Sequence, residues 1–99
     1  MIVVAVTMFA RPSNREEVIR LAQGMIAPSR AEAGCMSYNF FAETLNPDGF
    51  HFFEEWESHE ALNAHVATDH FVRYSAEITP YLEKPSEVRI YDVSGMKLL

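Results

Sequence analysis

The residues best suited to chemistry lie close together, between positions 54 and 71 of this 99-residue chain. The segment carries a Glu54-x-Trp56 pair, followed by His65 and then by His70 beside Phe71. Imidazole is the side chain whose unperturbed pKa lies near neutral pH, so it can accept or donate a proton under physiological conditions. A carboxylate, an indole and two imidazoles among aromatic rings therefore predict proton transfer on a flat organic substrate.

Length and composition limit the kind of protein that carries these groups. Ninety-nine residues make one domain, and the net charge of −6 argues against nucleic acid or an anionic membrane as a partner. No apolar run approaches the roughly 18 residues that a membrane-spanning helix needs, and the apolar N-terminus indicates a strand rather than a signal peptide. The single cysteine, Cys35, excludes an intrachain disulfide, which predicts a reducing, cytoplasmic location.

The first third of the chain predicts a strand followed by a helix. Residues 2–10 are apolar and β-branched, as in a strand covered on both faces. Ser13 or Asn14 can cap the helix, Pro28 breaks or restarts it, and Gly34 ends it. The apolar stripe of this helix recurs at helical spacing: Val18, Leu21, Ala22 and Met25.

The middle of the chain predicts a β-hairpin. Residues 35–43 and 50–57 are its strands, and Asn46-Pro47-Asp48-Gly49 is its turn. The two-residue period of a strand places three residues of the first strand on one face: Met36, Tyr38 and Phe40. It also places four residues of the second strand on one face: Phe50, Phe52, Glu54 and Trp56.

Two more helices and a strand follow the hairpin. Ser58 is positioned to cap a helix that runs to about Val66, in which His65 follows the apolar stripe. Thr68 or Asp69 caps the next helix, which Pro80 bends or ends. Its stripe is formed by Phe71, Tyr74, Ser75, Ile78, Tyr81 and Leu82.

The order of elements predicts an α+β fold. Residues 87–93 supply a fourth strand, and βα-ββ-αβ describes a ferredoxin-like sandwich, an antiparallel four-stranded sheet with helices on one face. Residues 1–93 form the single domain and residues 94–99 a C-terminal tail. The other sheet face holds apolar groups that no helix is left to cover, which predicts homodimerisation through that face.

Four segments carry a resemblance to a known family: Ala31-Glu32-Ala33-Gly34-Cys35 leading into Tyr38, Glu54-Glu55-Trp56, Ala61-Leu62-x-x-His65, and Thr68-x-His70-Phe71. Over roughly residues 1–93 the chain resembles the antibiotic biosynthesis monooxygenase (ABM) family, particularly its small quinol-monooxygenase-like members. The resemblance implies a dimeric α+β barrel that oxygenates a quinol, an anthrone or a related phenol with molecular oxygen, without metal, flavin or haem. It also implies a pocket between the sheet and the helices.

Without a cofactor, the substrate itself must supply electrons to oxygen, and a phenol does so better as its anion. The protein must therefore remove a proton from the substrate and exclude water from the site. We expect three catalytic residues: His65, His70 and Trp56. His65 is expected to be the base ahead of His70, and the Trp56 indole N–H is expected to donate a hydrogen bond to an oxyanion. We expect five residues to contact the substrate: Tyr38, Phe52, Glu54, Phe71 and Tyr74.

Oxygenases of this family often carry an asparagine on the first strand, where this chain has only Thr7 as a polar side chain. Asn39 could substitute, although alternation places it opposite Tyr38.

Other interpretations stay open. A haem-binding or haem-degrading relative would need an axial histidine near Tyr74 or Ser75, where there is none. An isomerase acting on a small hydroxy-carbonyl signal molecule, or a non-catalytic dimeric ligand-binding module, would suit the same residues. A metal site lacks an evident third ligand beside the two histidines. In a purely structural interpretation, Glu54 and His65 form a buried pair that ties a helix to the sheet.

Overall fold

The structure, a computed structural model, describes residues 1–99. The chain forms four strands, four α-helices and one short 3₁₀ turn, in this order: β1 (Ile2–Phe9), α1 (Arg15–Gln23), α2 (Ile26–Arg30), β2 (Cys35–Ala42), β3 (Gly49–Trp56), α3 (His59–Val66), α4 (Asp69–Ile78), the 3₁₀ turn (Thr79–Tyr81) and β4 (Glu87–Asp92). The strands form one antiparallel sheet in the order β2-β3-β1-β4. The predicted α+β ferredoxin-like fold is confirmed, and the strand bounds differ from the predicted ones by a single residue.

The hydrophobic core lies between the sheet and the helices. Buried strand residues alternate with half-buried or exposed ones, so that Val4, Phe52 and Trp56 face the helices while Phe53 and Phe41 remain 41% and 53% exposed on the other face. No element of the chain covers that second face. The homodimer that would cover it stays a prediction.

One strand departs from simple alternation. Cys35 pairs with Trp56 and Ser37 with Glu55, so that Met36 is an extra residue in a β-bulge. The bulge turns Met36 outward, where it is 53% exposed, and the prediction that it shares a face with Tyr38 is wrong. Tyr38 itself pairs with Glu54 on the helix side of the sheet.

The first helical region breaks earlier than predicted. It divides between Gln23 and Ile26, whereas Pro28 lies inside α2. Gly34 ends the region with a φ of +83°, and a Cβ at this position would lie 2.6 Å from the Cβ of Ala61 in α3. Glycine is therefore required both by its backbone conformation and by the close approach to α3. This approach brings the segment before β2, including Glu32, against the helix that carries His65.

The caps of the later helices follow the sequence signals. The Ser58 side chain accepts a hydrogen bond from the Ala61 N–H, and the Thr68 side chain accepts one from the Phe71 N–H. Pro80 ends α4 in the 3₁₀ turn, as predicted. None of the helices has both the length and the apolar character that a membrane crossing would require.

Candidate active site

A cavity of about 450 Å³ lies between the helix side of the sheet and α4. The segment that joins the 3₁₀ turn to β4 forms its remaining wall. Its apolar and aromatic lining comes from every strand and from α4: Val6, Tyr38, Phe52, Phe71, Tyr74, Ile78, Leu82, Pro85 and Val88. Its polar lining consists of Arg11, Glu54, Ser75, Thr79, Glu83, Lys84 and Ser86. A volume of this size lies within the range of small-molecule sites, about 300–1,000 Å³.

Glu54 is the only buried charged residue that lines this cavity, and it is 5% exposed. The Trp56 Nε1–H donates a hydrogen bond of 3.0 Å to its Oε1. Burial raises the pKa of the Glu54 carboxyl to about 7, and the indole bond opposes part of that rise. A carboxyl group with this pKa exchanges its proton near neutral pH, as a general acid or base must.

Two tyrosines share this environment. Burial, followed by the charge of Glu54, raises the pKa of Tyr38 and that of Tyr74 above the ordinary range of a phenol. Both hydroxyls therefore remain protonated near neutral pH. Tyr38 packs against Phe52 with ring centroids 5.4 Å apart, and Tyr74 meets the same ring edge-on at 6.1 Å. These rings form a continuous aromatic wall next to the Glu54 carboxyl.

The two histidines belong to a separate cluster behind that wall. The Nδ1–H of His65 and the Nε2–H of His70 both donate to Oε2 of Glu32, each over 2.7 Å. A carboxylate only accepts hydrogen bonds, so each ring nitrogen facing it carries a hydrogen. The Nε2 of neutral His65 is consequently a bare lone pair, and it is enclosed without a partner. Burial lowers the pKa of His65 against the opposing effect of Glu32, which favours the neutral ring.

The cluster corrects the expectation that no third metal ligand is available. The donor atoms of Glu32, His65 and His70 all lie within 4.8 Å of one another, and two imidazoles with a carboxylate are donors that zinc accepts. A metal-bound histidine, however, almost always donates its second ring N–H to an acceptor, and His65 Nε2 has none. The hydrogen-bonded arrangement therefore fits these three residues better than a metal centre does.

The structure separates the predicted site residues into two groups. The five residues expected to contact substrate all line the cavity, whereas the three expected catalytic residues do not: His65, His70 and Trp56. Trp56 is fully buried beneath Glu54, and its ring lies 4.6 Å from that of His65. Trp56 and His65 do not line this cavity, because Tyr38 and Phe71 occupy the wall in front of them. A catalytic role for these three residues stays a prediction.

Hydrogen-bond partners within the chain decide two other expectations. Glu54 and His65 do not pair, because Glu54 binds Trp56 and His65 binds Glu32. Asn39 is not a cavity residue, since its side chain accepts a hydrogen bond from Arg30 on the other side of β2.

Glu32 is the site residue that the sequence interpretation missed. It lies in an irregular segment, where neither helical nor strand periodicity indicates which way a side chain points. The available signal was its place in the Ala31–Cys35 motif, two residues before the glycine that fixes the approach to α3.

Comparison with known proteins agrees with the fold and shows the family. The sequence profile described as "Antibiotic biosynthesis monooxygenase" matches residues 1–77. The chain belongs to the antibiotic biosynthesis monooxygenase family. Membership confirms the resemblance drawn from the motifs around Glu32, Trp56 and His65.

Individual relatives are similar over most of the chain. An uncharacterised Synechocystis protein is 38% identical over 98 residues, which are 99% of this chain and 67% of that protein. YcnE of Bacillus subtilis, provisionally named a monooxygenase, is 32% identical over 89% of this chain and 93% of its own. The structure of Rv0793 from Mycobacterium tuberculosis superposes with a TM-score of 0.91 at 28% identity, covering 96% of each chain. The names of these relatives support a monooxygenase at the level of the family and do not identify a substrate.

Proposed function

We propose that this protein is a cofactor-independent monooxygenase that acts on a quinol, an anthrone or a related phenolic aromatic. The observation that carries the proposal is the aromatic cavity with a buried carboxyl group, Glu54, in its wall. A flat ring would lie among Tyr38, Phe52 and Phe71, with its hydroxyl group near the carboxyl. Family membership supports the oxygenation, and the cavity supports the class of substrate.

The proposed reaction needs only the substrate and molecular oxygen. For an anthrone, loss of a proton gives an electron-rich anion that reduces oxygen. One oxygen atom then enters the ring as a carbonyl group and the other leaves as water with the two hydrogens that the substrate has lost. The protein would remove the first proton, hold the ring and exclude bulk water from the peroxy intermediate. The low exposure of Glu54, Tyr38 and Phe52 supports the exclusion of water.

A second candidate is an isomerase that acts on a small hydroxy-carbonyl compound. The pKa of Glu54, about 7, favours this candidate equally, because moving a proton between neighbouring carbons requires the same kind of group. The two reactions differ in oxygen consumption: the oxygenase consumes one O₂ for each substrate molecule, and the isomerase consumes none.

An oxygen electrode distinguishes the candidates. Purified protein is treated with a chelator and screened with hydroquinones and anthrones, with no added cofactor and with buffer as the blank. We expect oxygen consumption that scales with protein concentration for at least one member of the panel. Substrate turnover without oxygen consumption would favour the isomerase, and no turnover across the panel would contradict the oxygenase.

A further inference from the structure

We propose that Glu54, rather than a histidine, is the residue that accepts the substrate proton, and that Trp56 positions it. The proposal deepens the function given above and rests on it for the reaction, although binding can test it without oxygen. In this step the O–H bond of the phenol breaks, an O–H bond forms on Oε2 of Glu54, and the electron pair remains on the substrate as a phenolate.

The two oxygens of Glu54 have different surroundings. Oε1 accepts the Trp56 Nε1–H at 3.0 Å, which holds the carboxyl plane in place. Oε2 has no hydrogen-bond partner within the protein. Two side-chain polar atoms are both fully enclosed and without a partner, Ser29 Oγ and His65 Nε2. Because Oε2 is not one of them, it is not fully enclosed. Because Glu54 lines the cavity, this free oxygen is available to a ligand hydroxyl.

The histidines lack such access. His65 is 1% exposed, and its bare Nε2 is enclosed among Trp56, Tyr38 and Phe71. A ligand would have to displace one of these rings to reach it. His70 directs its Nε2–H to Glu32 and lies outside the cavity. Of Glu54 and the two histidines, only Glu54 combines a free basic atom with contact to the cavity.

The groups around Glu54 favour proton uptake near neutral pH. Glu32, before β2, is the ionisable side chain whose charge acts on Glu54, and it raises the pKa further; Glu54 in turn raises the pKa of Cys35 and Tyr38 on β2 and of Tyr74 on α4. None of these supplies a positive charge, and the residue opposite Glu54 on β1 is apolar. The two cations of the cavity lining are exposed and have other contacts: Arg11 donates to the Pro80 carbonyl, and Lys84 lies over the Phe9 ring. The indole N–H is the one donor that stabilises its ionised form. Glu54 is therefore ionised above pH 7 and takes up a proton readily.

A matched pair of ligands tests the contact without any oxidation. 2-Naphthol has a hydroxyl group that can donate to Oε2, and 2-methoxynaphthalene has the same rings without that donor. Binding of each is measured by calorimetry at pH 5.5 and pH 8.5. Hydrogen bonds to charged groups are strong, so we expect wild-type protein to prefer the naphthol by roughly tenfold or more at pH 8.5 and much less at pH 5.5.

Three variants identify the responsible residue. Glu54→Gln keeps an acceptor for the indole and should lose the pH dependence of the preference. His65→Gln should keep it, as should Glu55→Gln, which makes the same charge change on the opposite face of β3, where Glu55 accepts from Ser37. Circular dichroism establishes that each variant is folded.

The outcomes separate the two proposals. A pH-dependent preference that survives Glu54→Gln, or that His65→Gln abolishes, would overturn the assignment of Glu54, as would failure of wild-type protein to bind the naphthol. If binding behaves as expected and the oxygen screen is blank, the oxygenase proposal fails while the contact with Glu54 stands. If the protein does oxygenate a phenol, Glu54→Gln should lower kcat about 10²–10⁴-fold and remove the rising limb of the pH–rate profile. A Glu54→Gln variant with undiminished kcat would also overturn the assignment.

Discussion

The buried carboxyl group should reduce the stability of this protein at alkaline pH, and Glu54→Gln should restore it. The pKa of Glu54 is about 7 in the folded chain against an ordinary value of 4.5, so the folded state binds more protons than the unfolded state between these values. The free energy of unfolding contributed by Glu54 is fully present below pH 4.5 and is lost as the pH rises through 7. At about 1.36 kcal/mol per pKa unit, the full difference corresponds to about 3 kcal/mol.

Glutamine cannot ionise, but it can still accept the hydrogen bond from Trp56. We therefore expect Glu54→Gln and wild-type protein to differ little in stability near pH 4.5, and the variant to be more stable by up to about 3 kcal/mol at pH 8.5. Urea unfolding at equal protein concentration, followed by the fluorescence of the single tryptophan, measures the difference. Glu55→Gln controls for net charge. A stability difference between Glu54→Gln and wild type that is the same at both pH values would refute the reasoning.

Three further predictions concern Trp56, the cluster around Glu32 and the uncovered face of the sheet. Trp56→Phe removes the donor that favours ionised Glu54, so the rising limb of the pH–rate profile should move up by about one to two pH units; an unchanged limb would count against the positioning role. Glu32→Gln weakens the charge-assisted bonds to His65 and His70 and should lower the free energy of unfolding by about 1–3 kcal/mol, measured in urea; unchanged stability would mean that the cluster contributes nothing. The chain should sediment as a homodimer, since no element of its own covers the sheet face with Phe53, and a stable monomer at micromolar concentration would contradict this.

The features that sequence could predict are those that periodicity controls. Strand alternation placed Glu54 and Trp56 on one face, and the structure joins them by a hydrogen bond. Helical spacing predicted that His65 faces the core, and His65 is buried. Alternation failed at Met36, because the bulge inserts one residue without a glycine or proline to mark it.

The separation of the cavity from the histidine cluster could not be predicted from the sequence. It depends on Tyr38 and Phe71 filling the space in front of His65, which is a matter of side-chain packing between three elements. The role of Glu32 depends on how an irregular segment meets α3, which the positive φ of Gly34 and the proximity of Ala61 decide.

The central claim, that the protein oxygenates a phenolic compound without a cofactor, is tested most directly with isotopic oxygen. Chelator-treated protein without metal, flavin or haem is incubated under ¹⁸O₂ with the best substrate of the anthrone and hydroquinone panel, and the product is examined by mass spectrometry. We predict one ¹⁸O atom in each product molecule and consumption of one O₂ per turnover, with both greatly reduced in Glu54→Gln. A product without ¹⁸O, or turnover that appears only when a metal or a redox cofactor is added, would contradict the claim.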